Sequence, residues 1–348
     1  MAANPRDDDA PAPGGGLFGS VPVLAQAEGL ADSGSESLTT VLIAFGANLL
    51  IAVAKSAAAL LTGSASLVAE AAHSWADTGN EIFLLVANRR SGRPADPAHP
   101  YGHGREAYVW SLFAALGLFV AGGALSVTNG VQELLDPHPA GRFDVGYAVL
   151  AVSFVLEGIS FRQSVRQARS EARPRQRDLL EYVLATSDPT LRAVFAEDFA
   201  ALIGVLIAAA GLAARQLTGS AVPDAVGSIL IGVLLAGVAV VLINGNRRFL
   251  VGQEADPQVR AAAVQALQAA PEVARVTYLR LEIVGPRMVF VIGAVDLTGD
   301  DTESHVAVRL RALEARISAS PAVAGAVLSL SAPDDPTLVV EPPSPGMR

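Results

Sequence analysis

Half of the 348 residues are apolar (51 %), 17 % are charged and mean hydropathy is +0.41; a soluble chain carries about a quarter charged residues, so the composition points to a bilayer. The net charge of −9 leaves no basic excess to neutralise phosphates, which argues against nucleic acid as a partner. Cysteine is absent, so disulfide scaffolds, thiolate zinc sites and thiol nucleophiles are excluded, and a metal site must use His, Asp, Glu, Asn or backbone oxygen.

Residues 1–36 are rich in Ala, Pro, Gly, Ser and Asp without an apolar period, and read as a disordered tail. With Asp7, Asp8 and Asp9 against a single arginine, Arg6, the start matches neither a transit nor a signal peptide. Residues 37–250 then hold six apolar segments, at 40–62, 66–88, 107–131, 145–161, 194–214 and 224–244. Most approach the ~20 residues needed to cross a hydrocarbon core; the fourth is short and is expected to extend on both sides. Basic residues sort to one side: Arg89, Arg90, Arg93 and Arg105 after the second segment, seven arginines in 162–193, and Arg247 and Arg248 after the sixth. The other side has Arg142 and Arg215, so both termini are expected in the cytoplasm. Residues 251–333 regain soluble composition and read as α-β-β-α-β, with a helix starting at Asp256-Pro257, strands at Val276–Ile283 and Met288–Leu297, a helix at Thr302–Ile317 and a strand at Ala326–Ser331. Residues 334–348 are Pro-rich and expected to be flexible. The fold class is an α-helical membrane protein: six transmembrane helices followed by a small α+β domain.

Charged groups inside spanning helices are costly and call for a function. In the second segment His73, Asp77 and Glu81 recur every four residues, so they line one helix face. His73 falls roughly 16 Å below the turn near residue 63, close to the midplane. An imidazole one turn from a carboxylate suits a divalent cation; a structural histidine is the plainer alternative, but leaves the two acids unexplained. The fifth segment brings Glu197 and Asp198 to similar depth. Asp198 is assigned to the ion; Glu197 is a fourth ligand, a proton carrier or an interfacial acid. Lys55 and Glu70 are equidistant from the turn joining the first two segments, and are expected to form an ion pair, with a snorkelling lysine as the alternative. Glu157 in the fourth segment is either a proton relay or the partner of a group on a facing helix. In the loop before the third segment, Asp96, His99 and His103 offer one carboxylate and two imidazoles within eight residues, a candidate zinc site or simply a polar loop. Neither His-Glu-x-x-His nor Gly-x-Ser-x-Gly occurs, so an enzyme of either class is unsupported.

The motifs His73-x-x-x-Asp77, Tyr101-Gly-His103-Gly-Arg105-Glu106, Asp198 with Gly204 and Asp224 at the start of the sixth segment, in this order, resemble the cation diffusion facilitator family over residues 38–333. The Glu197-Asp198 pair, with Tyr182-Val183 and Asp188-Pro189 upstream, is similar to the branch that includes an animal mitochondrial zinc transporter. The resemblance implies a divalent metal/proton antiporter, not an enzyme, exporting its ion from the cytoplasm through a midplane site on helices two and five. It implies His73, Asp77 and Asp198 as ligands. The family's fourth ligand falls on Val194, which cannot bind metal, so Glu197 is the substitute. Zn2+ is the expected cargo, with Mn2+, Fe2+ and Co2+ as alternatives, and no prosthetic group is implied. Asp96, His99 and His103 match a loop site of some bacterial members, whereas the C-terminal domain has His305 alone in place of their histidine cluster. A homodimer is implied, with a charge interlock in which Arg105 is the base and Glu254 or Asp256 the acid; Arg105 as a headgroup anchor is the alternative. Proton coupling is assigned to His73, assisted by Glu197 or Glu81. High Ala and Arg usage points to a prokaryotic plasma membrane. The competing function, prompted by Val194, is a non-transporting membrane metal sensor or scaffold.

Overall fold

A computed structural model of the chain describes residues 17–18, 38–139, 141–175 and 177–339. Apart from Leu17 and Phe18, the tail expected at 1–36 lies outside the described residues, as does the end beyond residue 339. Two compact units result, Ser35–Gln253 and Glu254–Arg348, the second joined by the first 34 residues. Where the tail is described it is docked: Leu17 N–H donates to Arg316 O at 3.1 Å and the Phe18 ring is fully buried in the C-terminal core. Phe18 is the only aromatic residue before Phe45, and burying its ring favours docking at this position. The expectation of uniform disorder is corrected at these two positions.

The first unit is a bundle of six long helices: α1 (Leu38–Thr62), α2 (Ala65–Ser91), α3 (Glu106–Leu135), α4 (Phe143–Ala172), α6 (Pro189–Thr218) and α7 (Val222–Val251), with a short α5 (Leu179–Ala185) before α6. Five of the six are long and apolar enough to cross a membrane. The exception is α2, whose Glu70, His73, Ser74, Thr78 and Asn80 are buried within the bundle. A helix that turns its polar face to other helices gives up mean hydropathy without meeting lipid. α4 runs eleven residues past the apolar segment read at 145–161, because its continuation is basic and reads as loop. In α3 the stretch Leu118–Ala124 is a π-helical turn within the continuous helix. Leu67 of α2, Leu118 of α3, Leu150 of α4, Leu212 of α6 and Leu235 of α7 belong to one core.

Two arginines staple α6 near its ends. Arg215, 3 % exposed, lies 3.1 Å from Asp224 and 3.2 Å from Glu133, and donates to Gly63 O. Asp224 in turn accepts from Ser64 Oγ at 2.7 Å, from Ala65 N–H at 2.7 Å and from the Ser66 hydroxyl, so one carboxylate ties α7 to the α1–α2 turn. At the other end Arg192 donates to Thr186 O at 2.9 Å and to Asn246 Oδ1 at 2.6 Å, and Asn246 donates to Ser111 on α3.

The second unit follows the expected order. Helix α8 (Pro257–Gln268) is capped by Asp256, which accepts from Gln258 N–H. Strand β1 (Val273–Gly285) pairs antiparallel with β2 (Met288–Leu297), and β2 pairs in parallel with β3 (Val323–Leu330) across α9 (Glu303–Ser318). Val276 and, beyond a register shift before Tyr278, Leu279 of β1 join Val291 and Val295 of β2 in one apolar core with Val264, Leu267, Leu313 and Ile317.

Candidate cation site

Four-residue spacing does on α2 what the sequence requires. His73 Nδ1 stands 3.4 Å from Asp77 Oδ1 without hydrogen-bond geometry, and both ring nitrogens of His73 are buried with no hydrogen-bond partner, as is Asp77 Oδ1. Buried polar atoms are ordinarily satisfied, so a fully enclosed imidazole with two idle nitrogens beside an idle carboxylate oxygen marks a place where a ligand is expected. Across from it, α6 supplies two acids about 100° apart around the helix, and they take different partners. Glu197 meets α2: Asn80 Nδ2 lies 2.6 Å from each of its carboxylate oxygens. Asp198 meets α4 instead, accepting from Ser160 Oγ at 2.9 Å. Asp77 interacts electrostatically with Glu197, Glu157 and Asp198, so all four acids belong to one polar region.

The sequence reading assigned Asp198 to the ion ahead of Glu197. In the structure Glu197 is the acid held against α2, and the two are not drawn into one tight cluster with His73 and Asp77. Among the described residues, the trio whose donor atoms all lie within 4.8 Å of one another is Asp96, His99 and His103. Each α6 acid is turned to a neutral donor, Glu197 to Asn80 and Asp198 to Ser160. Asn80 and Ser160 were not singled out from sequence. Asn80 had a signal, since it stands three residues after Asp77 and seven after His73 on the same face. Ser160 had none, because its role depends on how α4 packs on α6.

Glu81 accepts a hydrogen bond from Asn48 on α1 and also acts electrostatically on Glu197. Lys55 and Glu70 do pair: Lys55 Nζ is 2.9 Å from Glu70 Oε2, and both side chains are fully buried. Glu157 faces the same ammonium at 3.7 Å, so it has a partner on a facing helix. The α6 backbone backs directly onto Glu70: a Cβ at Gly204 would stand 2.2 Å from Glu70 Oε1.

The loop trio is built by its own backbone. Asp96 and His99 exchange main-chain hydrogen bonds at 3.2 and 3.0 Å, and Gly102, at φ +76°, turns the chain so that His103 comes back over them. Asp96 then bonds His103 Nε2 at 3.0 Å and His99 Nδ1 at 3.1 Å, with the two imidazoles 4.0 Å apart. Hydrogen bonds from the side chains of His103 and His99 and from the His99 backbone hold the Asp96 carboxyl well below the usual carboxylate range. One carboxylate and two imidazoles on one side of a loop can take zinc. Glu254 lies 3.7 Å from Arg260 and Asp256 serves as the α8 cap, both within the second unit, whereas Arg105 belongs to the first.

Residues 41–251 match the cation efflux transmembrane domain family. Metal tolerance protein C4 of Arabidopsis thaliana is 34 % identical over 233 residues, 67 % of this chain and 51 % of the relative. The mitochondrial proton-coupled zinc antiporter SLC30A9 of Homo sapiens is 34 % identical over 259 residues, 74 % of this chain and 46 % of the relative. The cation-efflux pump FieF of Escherichia coli O139:H28 is 35 % identical over 125 residues, 35 % of this chain and 40 % of the pump. The chain spans about half the length of the curated relatives it matches.

Proposed function

Because the chain belongs to the cation efflux family, being a multi-pass membrane protein of transporter rather than enzyme type, we propose that it exchanges a divalent cation, zinc in the first instance, for protons across the bilayer. The site is the polar region between α2 and α6, with His73 and Asp77 on one side and Glu197 and Asp198 on the other. The observation that carries this reading is the enclosed His73 imidazole, whose two nitrogens have no hydrogen-bond partner beside an equally idle oxygen of Asp77. Imidazole and carboxylate ligate only when deprotonated, so loading the cation releases protons and protonation promotes unloading. His73 carries the exchanged proton, assisted by Glu197. Glu197 replaces the ligand lost at Val194 by leaving Asn80. A zinc antiporter among the relatives supports the choice of zinc, as does the imidazole in the ligand set.

The proposal is completed by both termini at the cytoplasmic face of a plasma or inner membrane, which rests on the arginine distribution, and by a homodimer, which rests on the family resemblance alone. Metal-driven proton flux in proteoliposomes tests it. Wild type should exchange zinc for protons, and Asp77→Ala and His73→Ala should each lower the rate at least about tenfold, as loss of a ligand weakens a metal site. Glu197→Gln should be more damaging than Asp198→Asn, since Glu197 is the α6 acid held against α2 whereas Asp198 meets α4. Proton-coupled uptake retained by His73→Ala would overturn the assignment of the proton. A membrane sensor, the reading prompted by Val194, would instead bind metal with no flux from the full chain.

A further inference from the structure

The one lysine of the chain is buried among acids and has no role in the cation site as described. Lys55 Nζ bonds Glu70 at 2.9 Å and stands 3.7 Å from Glu157. Lys55 is eight residues before the Gly63 turn and Glu70 seven after it, so the pair lies roughly 12 Å inside that end of the bundle, about one turn from His73. Glu157 also faces the cation site. Three residues along α4 on the same face is Ser160, whose hydroxyl donates to Asp198. Glu157 and Lys55 both act electrostatically on Asp77. The α6 backbone at Gly204 packs against Glu70, where an added Cβ would stand 2.2 Å from Oε1.

We propose that Lys55 determines cation selectivity: its ammonium engages Glu70 and Glu157 and so keeps two further carboxylates out of the cation's coordination shell. The inference rests on the α2–α6 region being the cargo site. With Lys55 in place, a cation meets one imidazole and a few carboxylate oxygens, a set suited to four-coordinate zinc. Without the ammonium, Glu157 is released beside Asp198 and the shell gains hard oxygen ligands, which favour manganese at higher coordination number. Lys55 is thus a fixed, tethered cation occupying acids that a mobile one would otherwise claim.

The test is calorimetric titration of the purified full-length chain with zinc chloride and with manganese chloride. In Lys55→Met/Glu70→Gln both members of the fully buried pair are neutralised together, and Glu157, 14 % exposed, is the partner left without the ammonium. The zinc-to-manganese affinity ratio of this double variant should fall at least about tenfold, through tighter manganese binding. Adding Glu157→Gln should restore the wild-type ratio. An unchanged ratio in the double variant, or no restoration in the triple, overturns the proposal. Should the double variant not yield monodisperse protein, Glu157→Gln alone decides, since it keeps the Lys55–Glu70 bond. Its ratio should match wild type, and a shifted ratio would mean that Glu157 already ligates the cargo, which overturns the proposal. Wild type that binds neither metal would instead sink the cargo-site reading.

Discussion

Asp96 shows how much one carboxylate can organise. Its two oxygens and its backbone set the positions of His99 and His103, and the bonds it accepts hold its carboxyl well below the ordinary range. In acid the folded loop therefore binds fewer protons than the unfolded chain. The stability this carboxylate adds is complete above the unfolded value of about 3.9 and is lost as pH falls through the lower folded one. From pH 5 to 8 Asp96 therefore stays charged and available to a cation. In an Asp77→Ala background, Asp96→Asn should weaken zinc binding at the loop at least about tenfold, read by zinc titration; equal affinity would remove the trio from consideration as a metal site. At this scale the sequence was informative wherever spacing alone fixed geometry. His73 with Asp77 and the 96–103 loop are local, whereas the partners chosen by Glu197 and Asp198 depend on which helix stands opposite, and spacing along one helix carries no record of that.

At the scale of the helix, contact between α2 and α6 decides what each position tolerates. Gly204 of α6 lies against α2 so closely that an added Cβ would meet an oxygen of the buried, ion-paired Glu70 carboxylate. Gly204→Ala forces that carboxylate or the α6 backbone to move, and overpacking of this kind costs about 1–3 kcal/mol. The melting temperature of the detergent-solubilised protein should drop accordingly. Gly237→Ala on α7, where an added methyl meets nothing within 4 Å, is the control and should show no loss. Helix existence was legible from apolar runs, since length and hydropathy are properties of the chain itself. Helix ends were less so: the basic continuation of α4 to Ala172 reads as loop because nothing in its composition announces that Ala168 and Ala172 pack against Tyr182, Val183 and Leu191. The π-helical turn at Leu118–Ala124 left no signal in the apolar pattern.

For the whole molecule, composition gave the division into a membrane bundle and a small α+β unit, and the α-β-β-α-β order followed from period and turn residues. What it could not supply was the docking of Phe18 into a core more than 230 residues away, because a lone aromatic in a polar tail has no local partner to betray it. The sealed position of Lys55 has one more consequence at this scale. With no cysteine and a single lysine that solvent does not reach, the folded chain offers acylating reagents no side-chain amine. Acylation of Lys55, followed by mass spectrometry during zinc turnover, should therefore be slow at rest and rise only if the bundle parts around the lysine. The native chain thus carries its own chemical clock for that opening, with no label introduced.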